Sequence, residues 1–289
     1  MWSALRGIYR VAMPIIPDRI GIQLHALRAF GRLLDIDNGQ SFSEKCQRRK
    51  LAREQHARYA ALADKLAVKR FVADRVGAGY VTPTLWSGVR LPAAPDPSWP
   101  AHIVVKANHG SGTNLFVNTA NANWSETERE SRTWLLSSHA PSMKERWYEL
   151  IPRRLLVEPN ITESDEEPLN YRFFVFHGRV EFIQLDLYPN TERARRAMYS
   201  RDWVLLPFTT KRRREPTPQP PPRHLESMVA AAEALGAEFD FVRVDLYDLA
   251  DGPRFGEMTF APGSGFSPFD PPAYDLEIGR LWRFGEMGS

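Results

Sequence analysis

Residues 241–260, FVRVDLYDLADGPRFGEMTF, constrain this chain more than any other stretch. From Phe241 to Leu249, Val242, Val244 and Leu246 alternate with Arg243, Asp245 and Tyr247, the period-two pattern of a half-buried strand. Asp251-Gly252-Pro253 signals a turn, and Arg254 to Phe260 resumes β-prone character, so the stretch reads as a hairpin. Counting side-chain direction outward from the turn sets Asp245 beside Glu257, on one face with Thr259 and Arg243. Two adjacent carboxylates repel unless a cation lies between them, and hard oxygen donors suit Mg²⁺ shared with substrate phosphates. The bland alternative is a solvated acidic face on an edge hairpin. Arg243 on the same face favours a metal–nucleotide site.

The rest of the chain permits such a site. Its 289 residues are enough for one large domain or two modest ones. A formal charge of +3 suits anionic ligands or an anionic membrane surface but is too weak to imply nucleic acid. Cys46 is the sole cysteine, which excludes an intramolecular disulfide or a cysteine metal cluster and points to a reducing, cytoplasmic setting. No apolar run reaches bilayer-spanning length, and no cleavable signal is evident.

At the start, Trp2, Leu5, Ile8, Tyr9 and Ala12 recur at helical spacing, Pro14 and Pro17 interrupt, and a second amphipathic stretch runs from about Ile20 to Leu34. This reads either as a helical pair packed on the main body or as an interfacial anchor on the inner membrane face. A basic helical segment is expected from Phe42 to about Ala67, and a helix with Asp64 as its N-cap and Ala67, Phe71 and Val72 along one face. Residues 124–150 read as helical, with Trp134, Trp147 and Tyr148 as core bulk. Residues 211–223, KRRREPTPQPPPR, read as a disordered segment or a mobile basic lid.

Ile103 to Val105 forms a short β-branched strand that ends in Lys106, followed by the loop Asn108-His109-Gly110-Ser111-Gly112-Thr113-Asn114 and a second strand, Leu115 to Val117. A lysine and a glycine-rich loop between two strands is one way to cover a polyphosphate, because glycine lets backbone N–H groups approach the oxygens closely. It is not the Walker order, in which lysine follows the glycines and a helix comes next. By itself the loop is weak, since many tight hairpins carry Gly-Ser-Gly. His109 is either a catalytic base or a hydrogen-bonding spacer. Leu155 to Glu158 is an apolar strand ending on a carboxylate, and Tyr171 to Phe176 pairs with Val180 to Leu187 around His177-Gly178, with Arg172 facing away from Phe173 and Val175.

In order along the chain, FSEK at Phe42, ADK at Ala63, VVKANHGSG at Val104, LLVEPNI at Leu155, NYRFFVFHG at Asn170, FVRVDLY at Phe241 and FGEMTFAPGSG at Phe255 resemble the TupA-like ATP-grasp proteins of cell-surface polymer biosynthesis. The resemblance implies an α+β, ATP-grasp fold: two lobes with the nucleotide in the cleft between them, preceded by a helical extension. The expected division is 1–62 for the extension, 63–160 for the first lobe and 161–285 for the second. It implies ATP and Mg²⁺ as cofactors. Lys65 and Lys106 would contact the phosphates beneath the Gly110-Ser111-Gly112 loop. Glu158 and the backbone near Ile161 would receive adenine, and Glu163, Asp165 or Glu166 the ribose. Arg172 and Arg243 would neutralise transition-state charge, and Asp245, Glu257 and Thr259 would hold the metal.

Three features depart from the superfamily pattern: Thr259 where Asn is common, Asn170-Tyr171-Arg172 where Asp-Tyr-Lys is expected, and mostly helical residues in place of a leading Rossmann-like domain. The implied activity is a ligase that activates a carboxylate as an acylphosphate for attack by an amine, with an anionic saccharide or amino-acid-type acceptor. A sugar kinase, a nucleotide-sugar transferase and a catalytically silent nucleotide-binding partner are the alternatives.

Overall fold

The computed structural model describes residues 13–110, 112–136, 140–162, 169–188 and 191–284. The predicted first helix (Trp2 to Ala12), Ser111 and the acidic candidates Glu163, Asp165 and Glu166 lie outside the described residues. Among the described residues the strands are, in chain order, β1 Trp86–Gly88, β2 His102–Ala107, β3 Asn114–Asn118, β4 Leu155–Pro159, β5 Asn170–Phe176, β6 Arg179–Leu187, β7 Arg195–Ser200, β8 Thr209–Thr210, β9 Arg213–Arg214, β10 Phe241–Leu249, β11 Gly252–Thr259 and β12 Phe269–Asp270. They divide with the helices into two units. One holds the described residues of Met1–Glu54, Ser142–Glu145 and Leu169–Ser289, the other those of Gln55–Pro141 and Arg146–Pro168.

The first unit is built on a six-stranded sheet, β11-β10-β5-β6-β7-β9, antiparallel except for the parallel β7/β9 edge. The helix Leu225–Gly236 covers one face. Its Gly236 lies so close to the sheet that a Cβ there would sit 2.5 Å from Val175 Cγ1. Phe174, Phe182 and Phe241 gather with Phe42, Met198 and Trp282 in an aromatic core.

Helix Phe42–Leu51 reaches that core by an unexpected route. It begins with a capping box: Ser41 Oγ accepts from the Glu44 N–H, and Glu44 Oε2 accepts from the Ser41 N–H at 3.1 Å. Its cations look solvent-bound in sequence but are buried. Lys45 Nζ donates to the carbonyls of Gly279 (2.9 Å) and Trp282 (2.7 Å), closing the C-terminal end of helix Ala273–Leu281. Arg49 is 1% exposed and donates to the carbonyls of Phe241 (2.8 Å) and Phe260 (3.1 Å) and to Asp240. The boundary therefore falls differently from the predicted 1–62 extension: residues 13–54 are part of the sheet-bearing unit, and these buried cations are the physical reason.

Other expectations are also revised. The basic segment is not one helix to Ala67, because it stops at Leu51, resumes as His56–Ala63 and stops again at Asp64. Asp64 Oδ1 accepts from the Leu66 N–H at 2.8 Å, and the next helix, Val68–Val76, buries Val68 and Val72 while Ala67 is exposed. Among the described residues of the 124–150 stretch only Trp124–Trp134 is a long helix, although Trp147 is buried in the core as expected. Residues 211–223 are not a free lid: β9 pairs with β7, and Gln219 accepts from Trp203 Nε1 (2.8 Å) and donates to the Tyr199 hydroxyl (2.7 Å).

The second unit carries a four-stranded antiparallel sheet, β1-β4-β2-β3, packed around Leu91, Ile103, Val105, Val117, Leu155 and Val157.

Candidate functional site

In the second unit, β2 and β4 bring a lysine to a carboxylate. The register sets Val104 opposite Glu158 and Lys106 opposite Leu156, so Lys106 and Glu158 are diagonal neighbours on one face. Lys106 Nζ donates to Glu158 Oε2 at 2.6 Å, and Lys69 Nζ lies 2.5 Å from Glu158 Oε1. Burial alone would raise the Glu158 carboxyl, but Lys106 and Lys69 outweigh it and hold its pKa below the usual range. Burial lowers the pKa of Lys69 against the pull of Glu158. Lys69 was not among the predicted residues. Its signal was its place one residue after buried Val68 on a short helix, which is not specific.

The glycine loop closes between β2 and β3, where the Ala107 N–H donates to the Thr113 carbonyl at 3.1 Å. Gly110 and Gly112 have φ of 82° and 74°, a region that side chains resist, while a Cβ at either would meet open space. Glycine is therefore needed here for backbone conformation rather than room. Lys65 Nζ donates to the Gly110 carbonyl at 2.5 Å, uniting two of the predicted phosphate contacts. Asn108 ties the loop down: Nδ2 donates to Asp64 Oδ1 (3.0 Å) and the Pro152 carbonyl (2.9 Å), and Oδ1 accepts from the Arg154 N–H (2.8 Å). His109 is 3% exposed, with Nδ1 3.3 Å from Asn108 Oδ1, a packing position unsuited to a base that must reach substrate. Ile161 follows β4, with the intervening Asn160 N–H bonded to the His102 carbonyl at 3.0 Å.

In the first unit, the hairpin has the expected register. Asp245 is opposite Glu257 and Arg243 opposite Thr259, with a bulge immediately after Asp245. Arg243 lies between the carboxylates, with Nε 2.6 Å and Nη2 2.8 Å from the Asp245 oxygens and Nη2 2.6 Å from Glu257 Oε1. Thr259 Oγ1 donates to Glu257 Oε1 at 3.1 Å, and Asn170 Nδ2 to Asp245 Oδ2 at 3.3 Å. Burial raises the Asp245 pKa, Arg243 and Arg172 pull it down, Glu257 pushes it up, and the net shift is upward. A buried carboxylate in that condition gains from a further cation.

The charged row continues across the sheet. Arg172 is opposite Asp245, with its Nε 3.4 Å from Asp245 Oδ2, and its guanidinium also reaches Asp186. Asp186 is opposite Arg196, which holds it through Nε (2.6 Å) and Nη2 (2.9 Å) and donates through Nη1 to the Thr210 carbonyl (3.0 Å) and hydroxyl (2.7 Å). Burial works against the Asp186 carboxylate, but the two arginines bring its pKa down to about 2. Glu257, Arg243, Asp245, Arg172, Asp186 and Arg196 thus alternate in sign from β11 to β7. The last acid–arginine pair was not predicted, since nothing in the local pattern distinguishes Asp186 and Arg196 from a solvated face.

The donor set fits Mg²⁺. Among the described residues no three His, Cys, Asp or Glu side chains gather to hold a metal alone. Two facing carboxylates with a neighbouring hydroxyl suit an ion that completes its shell with phosphate oxygens and water. A lysine with a glycine loop in one unit and an acidic antiparallel hairpin in the other are the parts that the ATP-grasp resemblance implies. The family comparison is more specific: a model described as TupA-like ATPgrasp matches residues 44–283, and the chain belongs to that family.

Several solved structures are similar at low identity. The ATP-grasp ligase PsnB complexed with minimal precursor is 13% identical over 75% of this chain and 55% of its own, with a TM-score of 0.37. D-alanine–D-alanine ligase from Bacillus anthracis complexed with ATP is 14% identical over 76% and 63%, with a TM-score of 0.40. The L-amino acid ligase from Bacillus licheniformis is 12% identical over 93% and 61%, with a TM-score of 0.48. The chain therefore spans less than two thirds of the length of each of these three. Comparison with curated proteins found no match.

Proposed function

We propose that this protein is an ATP- and Mg²⁺-dependent carboxylate–amine ligase that modifies a cell-surface polysaccharide or glycoconjugate. The observation that carries the reading is the register-matched pair Asp245 and Glu257 with Arg243 between them, in a chain of this family. Asp245 and Glu257, helped by Thr259, would hold Mg²⁺, which when bound neutralises phosphate charge. Arg243 and Arg172, already ion-paired, would exchange part of that pairing for phosphoryl oxygens. Lys65, Lys106 and the Gly110–Gly112 backbone would take the phosphates, and Glu158 and the backbone at Ile161 the adenine.

The chemistry needs no covalent protein intermediate. A substrate carboxylate oxygen attacks the γ-phosphorus of ATP, ADP leaves, and an acylphosphate forms. An amine then attacks the acyl carbon, phosphate leaves, and the amine loses its proton. The protein contributes positioning and charge stabilisation. Product analysis tests this. With a carboxylated acceptor and an amine, equal amounts of ADP and free phosphate are expected. ADP with phosphate retained on a sugar hydroxyl would make the protein a kinase instead.

A separate surface supports peripheral binding to an anionic membrane. No described helix is long and apolar enough to cross a bilayer. Helix Asp18–Phe30 nevertheless exposes Ile20, Leu24 and Leu27, with exposed Ile15 and Leu33 at its ends and Arg19, Arg28 and Arg32 alongside. Aliphatic residues flanked by arginines suit the headgroup boundary. Co-sedimentation with phosphatidylglycerol vesicles, lost on Leu24→Glu/Leu27→Glu, is expected. Equal sedimentation of the variant would refute membrane contact through this helix.

A further inference from the structure

Lys69 and Lys106 both hold Glu158, but on unequal terms. An ammonium has three N–H donors and no acceptor. Lys69 Nζ faces three acceptors: Glu158 Oε1 at 2.5 Å, the Thr82 carbonyl at 2.8 Å and the Thr84 hydroxyl at 2.5 Å. Among the described residues Lys106 Nζ has only Glu158 Oε2, at 2.6 Å. The Lys106 side chain is also the more open of the two, 29% exposed against 17% for Lys69. One lysine is saturated and fixed. The other has donors to spare and access to solvent.

Local structure explains why Lys69 stays. It is the second residue of helix Val68–Val76, at the positive end of the helix dipole, and no acid occupies that first turn. A cation there is unfavourable without an anion beside it, and Glu158 is that anion. Thr82 and Thr84 flank Pro83, which restricts the backbone between them. The Leu85 N–H then donates to the Val157 carbonyl at 2.8 Å, as β1 begins beside β4. Helix, turn and β4 therefore converge on the Lys69 ammonium. Burial lowers its pKa and repulsion from Lys106 adds to this, against the pull of Glu158.

Two lysines against one carboxylate leave one positive charge in excess. Glu158 is 5% exposed, and removing all of its neutralisation would strand a buried charge. A phosphate that drew Lys106 away would do just that if Lys106 were the sole partner. We propose that Lys69 is a positioning residue: it is the resident counterion of Glu158, and it frees Lys106 to turn from Glu158 to a nucleotide phosphate. The inference rests on the reading of Lys106 as a phosphate contact in the proposed ligase. Lys69 acts through Lys106 and need not touch the nucleotide.

Calorimetric titration of Mg²⁺–ATP into single and double variants tests this. Lys69→Met should weaken ATP binding at least roughly tenfold, because Lys106 is then tied to Glu158. Adding Glu158→Gln to Lys69→Met should tighten binding again by at least about fivefold, since the amide carries no charge to hold Lys106. In the Glu158→Gln background, Lys69→Met should cost less than about threefold, a comparison that stands if Lys69→Met alone fails to fold. A merely structural role for Lys69 predicts the same loss in both backgrounds. A role in orienting Glu158 toward adenine predicts no gain from Glu158→Gln. Either result, or ATP binding unchanged in Lys69→Met, would overturn the proposal. Wild type that binds no ATP would remove the nucleotide reading and this inference together, whereas ATP binding without the rescue would remove this inference alone.

Discussion

Replacing Arg49 with Met tests whether the N-terminal residues are part of the sheet-bearing unit. Met matches the length of the arginine stem but makes none of its polar contacts. Three would be lost: to the Phe241 carbonyl at 2.8 Å, to the Phe260 carbonyl at 3.1 Å, and the ion pair with Asp240. The guanidinium also stacks 4.3 Å from the centre of the Trp282 ring. Asp240 is not abandoned, because it still accepts from the Phe241 N–H at 2.7 Å and from Trp282 Nε1 at 2.8 Å. Breaking a buried pair while leaving acceptors unsatisfied costs about 3–5 kcal/mol. With a urea slope near 3 kcal/mol/M, the unfolding midpoint should fall by about 1–1.7 M. Tryptophan fluorescence is a fitting probe, since Trp282 touches the altered side chain. A fall under about 0.3 M, which is below about 1 kcal/mol, would refute the claim that this helix anchors the unit.

Three further outcomes are expected. Asp186, held at about 2 by its two arginines, adds about 2–3 kcal/mol of stability above pH 4 that is lost as the pH falls toward 2. Asp186→Asn should therefore flatten the urea midpoint between pH 4 and pH 2, and an unchanged slope would contradict the pairing. Cys46 is fully buried, and burial pushes its thiol up to about 12, so at pH 8 it should resist dithionitrobenzoate until the protein unfolds. Rapid labelling of the folded protein would show the core misread. Gly178→Ala should cost about 1–2 kcal/mol in urea melts, because φ there is 78° and the new Cβ would lie 3.3 Å from Ala237 Cα. A neutral substitution would mean the turn can relax.

What could be read from the sequence was local. The hairpin's alternation and its Asp-Gly-Pro turn were enough to pair Asp245 with Glu257, because register follows from counting residues away from a turn. The strand–lysine–glycine-loop order located Lys106, and the Gly110 neighbourhood of Lys65 followed the family pattern. What could not be read depends on contacts between distant segments. Lys45, Arg49 and Lys50 look like a solvated basic face, yet their partners are carbonyls and an acid far along the chain, including Gly279, Asp240 and Ser264. Lys69 meets Glu158 across 89 positions, and Asp186 becomes part of a charged row only because five strands, β11 to β7, place it there. Burying a charge is costly unless a partner is present, so sequence reasoning assigns such residues to solvent by default.

Calorimetry of Mg²⁺–ATP binding to wild type, Lys106→Ala and Glu257→Gln tests the central claim most directly. The account predicts Mg²⁺-dependent ATP binding by wild type that weakens at least roughly tenfold in each variant, since one loses a phosphate cation and the other one of two carboxylates for the metal. Glu257 is a third exposed, and an amide oxygen there can still accept from Arg243, so the folded state should survive the change. Tight binding of a UDP-sugar with indifference to ATP, or ATP binding untouched in both variants, would contradict the account.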